Sequence, residues 1–81
     1  MRLDKFLKVS RLIKRRTVAN EACDGERASV NGRQGKASYQ VKVGDVIEIA
    51  FGSRTLKVEV TRVSETANKA EAPAMYRELT E

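Results

Sequence analysis

Apolar positions in the first quarter of the chain recur at helical spacing. Leu3, Phe6 and Leu7, with Val9 close by, fall on one face of a short helix. Asp4 sits near its start, where a carboxylate suits the positive end of the helix dipole. Ser10 serves as an N-cap or a turn residue ahead of Leu12 and Ile13. Val18, Ala19, Ala22 and Cys23 then trace a second apolar stripe, which predicts a helix over about residues 15–23. Gly25, following Asp24, is placed to leave that helix through a left-handed conformation.

At Ala28 the period changes to two. Asn31-Gly32, between Ser29-Val30 and the polar run Arg33-Gln34-Gly35-Lys36, is a tight-turn signal, and Gly35 reads as a point of mobility after it. Val41 and Val43 lead to a second turn at Gly44-Asp45, and Val46, Ile47 and Ile49 form a strand ending at Phe51-Gly52. Leu56, Val58 and Val60 alternate with Lys57, Glu59 and Thr61, the pattern of a strand with one dry face, and Arg62-Val63 continue it. The short Gly52-Ser53 link joins these two strands as an antiparallel hairpin. The order of elements is therefore α+β, helices first and sheet second. Residues 1–63 read as one domain and residues 64–81 as a mildly acidic tail, which forms a short helix around residues 75–79 or is disordered.

With 81 residues the chain has one small core, because a domain of this size buries only about 60% of its unfolded surface. An enclosed catalytic cleft with its own supporting shell does not fit that size. The chain has no histidine and one cysteine, which excludes a zinc cluster, a Ser-His-Asp arrangement and a histidine general base. It also lacks a glycine-rich loop followed by Lys-Ser or Lys-Thr. The expectation is a protein that is not an enzyme and takes no cofactor and no metal. Cys23 reads as a core residue, with a reactive thiol second to it. No apolar run is long enough to span a bilayer, and Met1-Arg2-Leu3-Asp4 opens an amphipathic pattern rather than a signal peptide, so a cytoplasmic protein is expected.

Charge changes the picture most. Arg2, Lys5, Lys8, Arg11, Lys14, Arg15 and Arg16 stand against Asp4 alone in the first sixteen residues, whereas residues 17–81 hold nine basic and ten acidic groups. Positive charge concentrated on two helices attracts a polyanion, and a solvated face is the alternative reading. Arg33 and Lys36 on the first hairpin extend the same surface with less weight, and Arg33 equally fits a solvated edge. Aromatic interleaving is weak. Phe6 and Phe51 read as core, leaving Tyr39 and Tyr76, too few for a platform on which single strands stack.

Several residues in order carry a family resemblance: Arg2-Leu3-Asp4 with Phe6-Leu7, then Arg16 with Val18-Ala19, Gly25, Val30-Asn31-Gly32, Lys36, Ser38, Val41 and Gly44-Asp45-Val46-Ile47. From Arg2 to Ile49 the chain resembles the small RNA-binding domain first recognised in ribosomal protein S-four and found in some pseudouridine synthases and tyrosyl-tRNA synthetases. The opening Met-Arg-Leu-Asp-Lys-Phe-Leu looks like the small stand-alone members, both the heat-shock ribosome-binding proteins and the shorter partners of bacterial ribosome-associated quality control. Two positions depart from the family pattern. Arg15 replaces the usual serine or threonine, which removes a cap from the second helix, and Ala28 replaces the usual valine.

The resemblance implies two short antiparallel helices packed on a small bent antiparallel sheet, with structured RNA held where the helices meet the first hairpin. It implies an accessory factor that contacts large-subunit ribosomal RNA and peptidyl-tRNA, as a monomer without a membrane. Such a factor would act on a stalled large ribosomal subunit with its tailing factor. A heat-shock-type recycling factor for blocked large subunits is the alternative within the class. A basic protein-interaction module, a DNA-binding protein and a detached fragment of an enzyme are the alternatives outside it.

Overall fold

In the computed structural model, which describes residues 1–64 and 70–79, two helices precede five strands. Helix α1 spans Leu3–Val9 and α2 spans Arg16–Asp24. The strands are β1 (Ala28–Val30), β2 (Arg33–Gln34), β3 (Val46–Phe51), β4 (Arg54–Val60) and β5 (Tyr76–Glu78), with a 3-10 turn over Ala72–Met75 just before β5. They lie in the order β2-β1-β3-β4-β5, and every neighbouring pair is antiparallel.

Helix α1 is only seven residues long, too short to persist alone, so its ends are held from elsewhere. Its N-cap, Arg2, makes no side-chain cap. Instead the Leu3 N–H donates to the Tyr39 carbonyl at 2.8 Å and the Asp4 N–H to the Ala37 carbonyl at 3.3 Å. The Lys5 N–H donates to the Asp4 carboxylate at 2.8 Å, so these three otherwise unpaired donors are satisfied. Ser10 is the C-cap of α1 rather than the N-cap of α2, its buried hydroxyl donating to the Leu7 carbonyl, and Arg11 turns the chain with φ 64°.

Helix α2 starts at Arg16 behind an uncapped Arg15. Its exit differs from expectation at one residue. Gly25 has φ −86°, and Glu26 takes the left-handed position with φ 63°. The Glu26 and Arg27 N–H groups then donate to the Cys23 and Ala22 carbonyls, a complete Schellman closure. Gly25 is required for a different reason: a Cβ there would lie 2.8 Å from the Glu21 carbonyl oxygen.

Asn31-Gly32 forms the expected turn between β1 and β2, both residues having positive φ, as a two-residue hairpin of this type needs. Gly35 is not a mobile point. It is buried, and a Cβ would meet Leu3 Cδ2 at 2.8 Å and Val30 Cγ2 at 3.0 Å, so its lack of a side chain lets the hairpin press against α1. The β3–β4 hairpin turns at Gly52-Ser53 in the expected register, Phe51 opposite Arg54. Strand β4 ends at Val60, so Arg62 and Val63 do not continue it.

The core joins Leu3, Phe6 and Leu7 of α1 and Ala19, Ala22 and Cys23 of α2 to Ile47, Ile49, Val58 and Val60 of the sheet. Two residues expected inside are outside: Val18 and Phe51 are each 43% exposed. Val18 belongs to the stripe by spacing, but a two-layer fold covers only a narrow face of α2, and Phe51 lies at the turn end of its hairpin, next to Gly52-Ser53. The helix expected around residues 75–79 is a strand. Met75 is fully buried in the core, and Tyr76, Arg77 and Glu78 pair with Val60, Glu59 and Val58. Residues 65–69, 80 and 81, part of the expected tail, lie outside the described residues.

Candidate nucleic-acid interface

The basic residues of the N-terminal segment do not all ride on helices. Only Lys5, Lys8 and Arg16 do; Arg2 precedes α1, and Arg11, Lys14 and Arg15 occupy the connection between α1 and α2. Local structure sorts the cations into two groups.

The first group is organised by Asp4, whose carboxylate is buried although it belongs to the charged stretch. Arg2 Nε donates to Asp4 Oδ1 at 3.2 Å, and Arg16 Nε and Asn20 Nδ2 donate to Asp4 Oδ2 at 3.4 and 3.3 Å. Burial pushes the Asp4 carboxyl up, but the hydrogen bonds from Asn20, Arg2, Arg16 and the Lys5 N–H outweigh it and hold the pKa below the usual aspartate value. Both guanidinium side chains remain about half exposed, at 47% for Arg2 and 50% for Arg16. One carboxylate thus fixes the inner edge of two arginines and leaves their other N–H groups facing outward, a geometry suited to phosphate oxygens. Asp4, Arg16, Thr17, Asn20 and Glu21 line a shallow depression here.

Lys8, Arg11 and Lys14 form the second group, around a small concavity of their own. Arg11 has a left-handed backbone, φ 64°, and lines this concavity with the lysines on either side, a grouping that straight helical periodicity does not give. Arg15 is exposed beside Arg16, and Lys5 is half-buried on α1. On the hairpin side, Lys36 is exposed and is carried against the start of α1 by the Ala37 carbonyl that accepts from Asp4. Arg33 is not part of either group; it lines a separate depression with Val30, Asn31, Gln34 and Tyr39.

A second buried carboxylate, Asp45, ties the hairpin to the rest of the sheet. It accepts from Asn31 Nδ2 at 3.1 Å, from the Tyr39 hydroxyl at 2.8 Å and from the Lys42 N–H at 2.9 Å. Burial pushes its pKa up, while the Lys42 N–H, Tyr39, Asn31 and the Lys42 charge lower it, and the lowering wins. The same bond raises the Tyr39 phenol. Asn31 and Asp45 therefore serve fold geometry, as turn residues should. Cys23 is fully buried, its thiol raised to about 11 by burial and by the charges of Asp4 and Asp24. That is the opposite of nucleophile activation.

Sequence reasoning passed over three contributors: Asp4 as the clamp, Asn20 and Tyr39. Arg16 and Asn20, four residues apart, share a face of α2, which was a readable signal. Tyr39 had none, since its partners are tertiary.

Residues 1–47 match the S4 domain family, and the chain belongs to it. The S4 domain is the S-four domain of the resemblance above. Over its full 81 residues the chain is 54% identical to the RQC P-site tRNA stabilizing factor of Bacillus subtilis, covering 94% of that relative. It is 32% identical to the Heat shock protein 15 homolog of Aeromonas salmonicida, again over the whole chain but only 61% of the relative. The trimeric structure of Heat Shock Protein 15 from Vibrio cholerae superposes with a TM-score of 0.90 at 30% identity, covering 98% of this chain and 81% of that one.

Proposed function

We propose that this protein is an RNA-binding accessory factor of the large ribosomal subunit. It contacts ribosomal RNA and peptidyl-tRNA and supports C-terminal tailing of stalled nascent chains in ribosome-associated quality control. The observation that carries this is the pair of half-exposed arginines, Arg2 and Arg16, held on one buried carboxylate beside the Lys8, Arg11 and Lys14 concavity. Similarity to a P-site tRNA stabilizing factor over the whole chain supports the same reading. The role is architectural. A-form RNA hides its base edges in a deep groove, so this surface reads backbone and shape. By adding contacts in one tRNA position and fewer in competing positions, a cytoplasmic monomer without chemistry of its own shifts the equilibrium toward the first.

Arg16→Ala is expected to weaken cosedimentation with large subunits while leaving the fold intact, and to lower the slope of log affinity against log salt by about 1. Arg2→Ala should act alike. Unchanged cosedimentation across a salt series would show that the site is misplaced. Tail synthesis on purified stalled large subunits then tests the role: if it stays normal when the Arg2/Arg16 double alanine variant no longer occupies the particle, the architectural reading fails. The likeness to heat shock protein 15 favours a second reading, a factor that recycles blocked large subunits. The ribosomal state that copurifies with the protein separates the two.

A further inference from the structure

The depression on the hairpin side differs from the cation groups in being partly apolar and partly aromatic. Val30, Asn31, Arg33, Gln34 and Tyr39 line it. Tyr39 is held at both ends: its carbonyl accepts from the Leu3 N–H and its hydroxyl donates to Asp45, each at 2.8 Å. The ring is consequently a fixed wall. The Asn31 side chain is committed as well, to Asp45 and to the Val46 N–H. Arg33 and Gln34, by contrast, are exposed, and among the described residues their side chains enter no hydrogen bond or ion pair.

We propose that this depression receives one unstacked nucleotide of RNA, its base against Tyr39 and Val30, its edge read by the Gln34 amide and its phosphate met by Arg33. The inference rests on the RNA-binding reading above and extends it from backbone contact to recognition of a single extruded base. Aromatic walls take any base by its π-face, a planar guanidinium matches a phosphate, and an amide offers both a donor and an acceptor to a base edge. A peptide strand fits the place less well, because β2 presents an edge of only two residues. Position favours RNA too. Arg2 pairs by a backbone bridge with Gln40, and the Leu3 N–H donates to the Tyr39 carbonyl, so the segment that carries Tyr39 is fastened beside the first cation group.

The test compares two RNA hairpins, one fully paired and one with a single bulged 5-iodouridine, by fluorescence anisotropy at fixed salt. Wild type should prefer the bulged RNA by about five-fold or more, as one stacked base provides. Tyr39→Leu and Gln34→Ala should each reduce that preference, and Gln34 sits on an exposed edge where substitution leaves the fold intact. Arg2→Ala should weaken both RNAs and keep the ratio. Irradiation should cross-link the bulged base to Tyr39. Equal wild-type affinity for the two RNAs would overturn this inference while leaving the RNA-binding reading standing. A preference that survives both pocket substitutions would also overturn it, since the bulge would then act by loosening the duplex. Binding to neither RNA would overturn both readings.

Discussion

Asp4 lies two residues from one of its arginine partners and twelve from the other, and most of the interface geometry depends on it. A carboxylate whose pKa is lowered on folding adds stability at pH above its unfolded value, about 3.9, and loses it as pH falls through the lower folded value. Asp4→Asn should therefore cost about 1.5–3 kcal/mol at neutral pH, the range for hydrogen bonds to a charged group. The gap from wild type should narrow below about pH 4. Urea titrations of both proteins at several pH values check this. Asp45, lowered as well, acts in both proteins and cancels in the difference. A gap that does not change with pH would show that ionisation of Asp4 is not what holds the arginines.

At the level of elements, the exits and starts of the two helices carry the chain's departures from local rules. Because Glu26 rather than Gly25 is left-handed, the two positions should respond in opposite directions. Gly25→Ala forces a methyl onto the Glu21 carbonyl and should destabilise by roughly 1–3 kcal/mol, whereas Glu26→Gly relieves a left-handed side chain and should stabilise by about 1 kcal/mol. Thermal unfolding of both variants decides it, and the reverse order would place the left-handed residue at Gly25. Arg15→Ser supplies the missing cap of α2. It should raise stability by about 1 kcal/mol while weakening RNA binding by one cationic contact, measured as a smaller salt slope. Arg15 thus marks a place where charge stands in the position of a cap.

For the molecule as a whole, charge is arranged by face. Across the sheet, Glu48 stands opposite Lys57 and Glu59 opposite Arg77, and each pair forms an ion pair. Exposed pairs of this kind add little stability. Their consequence is electrostatic: they neutralise this part of the sheet and leave the unbalanced cations at the α1–α2 end. The C-terminal segment completes the sheet, with Met75 sealing the core beside Val58 and Val60. Met75→Ala should cost about 2–5 kcal/mol, a large part of what so small a domain possesses. A urea midpoint indistinguishable from wild type would mean that this segment contributes nothing to the folded state.

Much of this was written in local order. The apolar spacing of residues 3–7 and 19–23, the alternation of residues 56–60, the Asn31-Gly32 turn and the concentration of cations before residue 17 are properties of neighbours along the chain. They determined the helices, the hairpins and the charged end, because helix and strand periods and turn conformations depend on residues a few positions apart. What only the tertiary structure decided involves longer separations. Asp4 meets Asn20 sixteen residues away, the Tyr39 carbonyl closes the start of α1, and Met75 enters a core built by the first sixty residues. Periodicity marks Met75 and Tyr76 as weakly apolar and nothing more, which suggested a short helix or disorder and carried no sign of a strand. The free edge of β4, with backbone groups to pair and apolar surface beside them, selected the strand. Burial likewise turned Asp4 from a helix-start carboxylate into the post that holds two arginines, since a charge leaving water must gather partners from wherever the fold brings them.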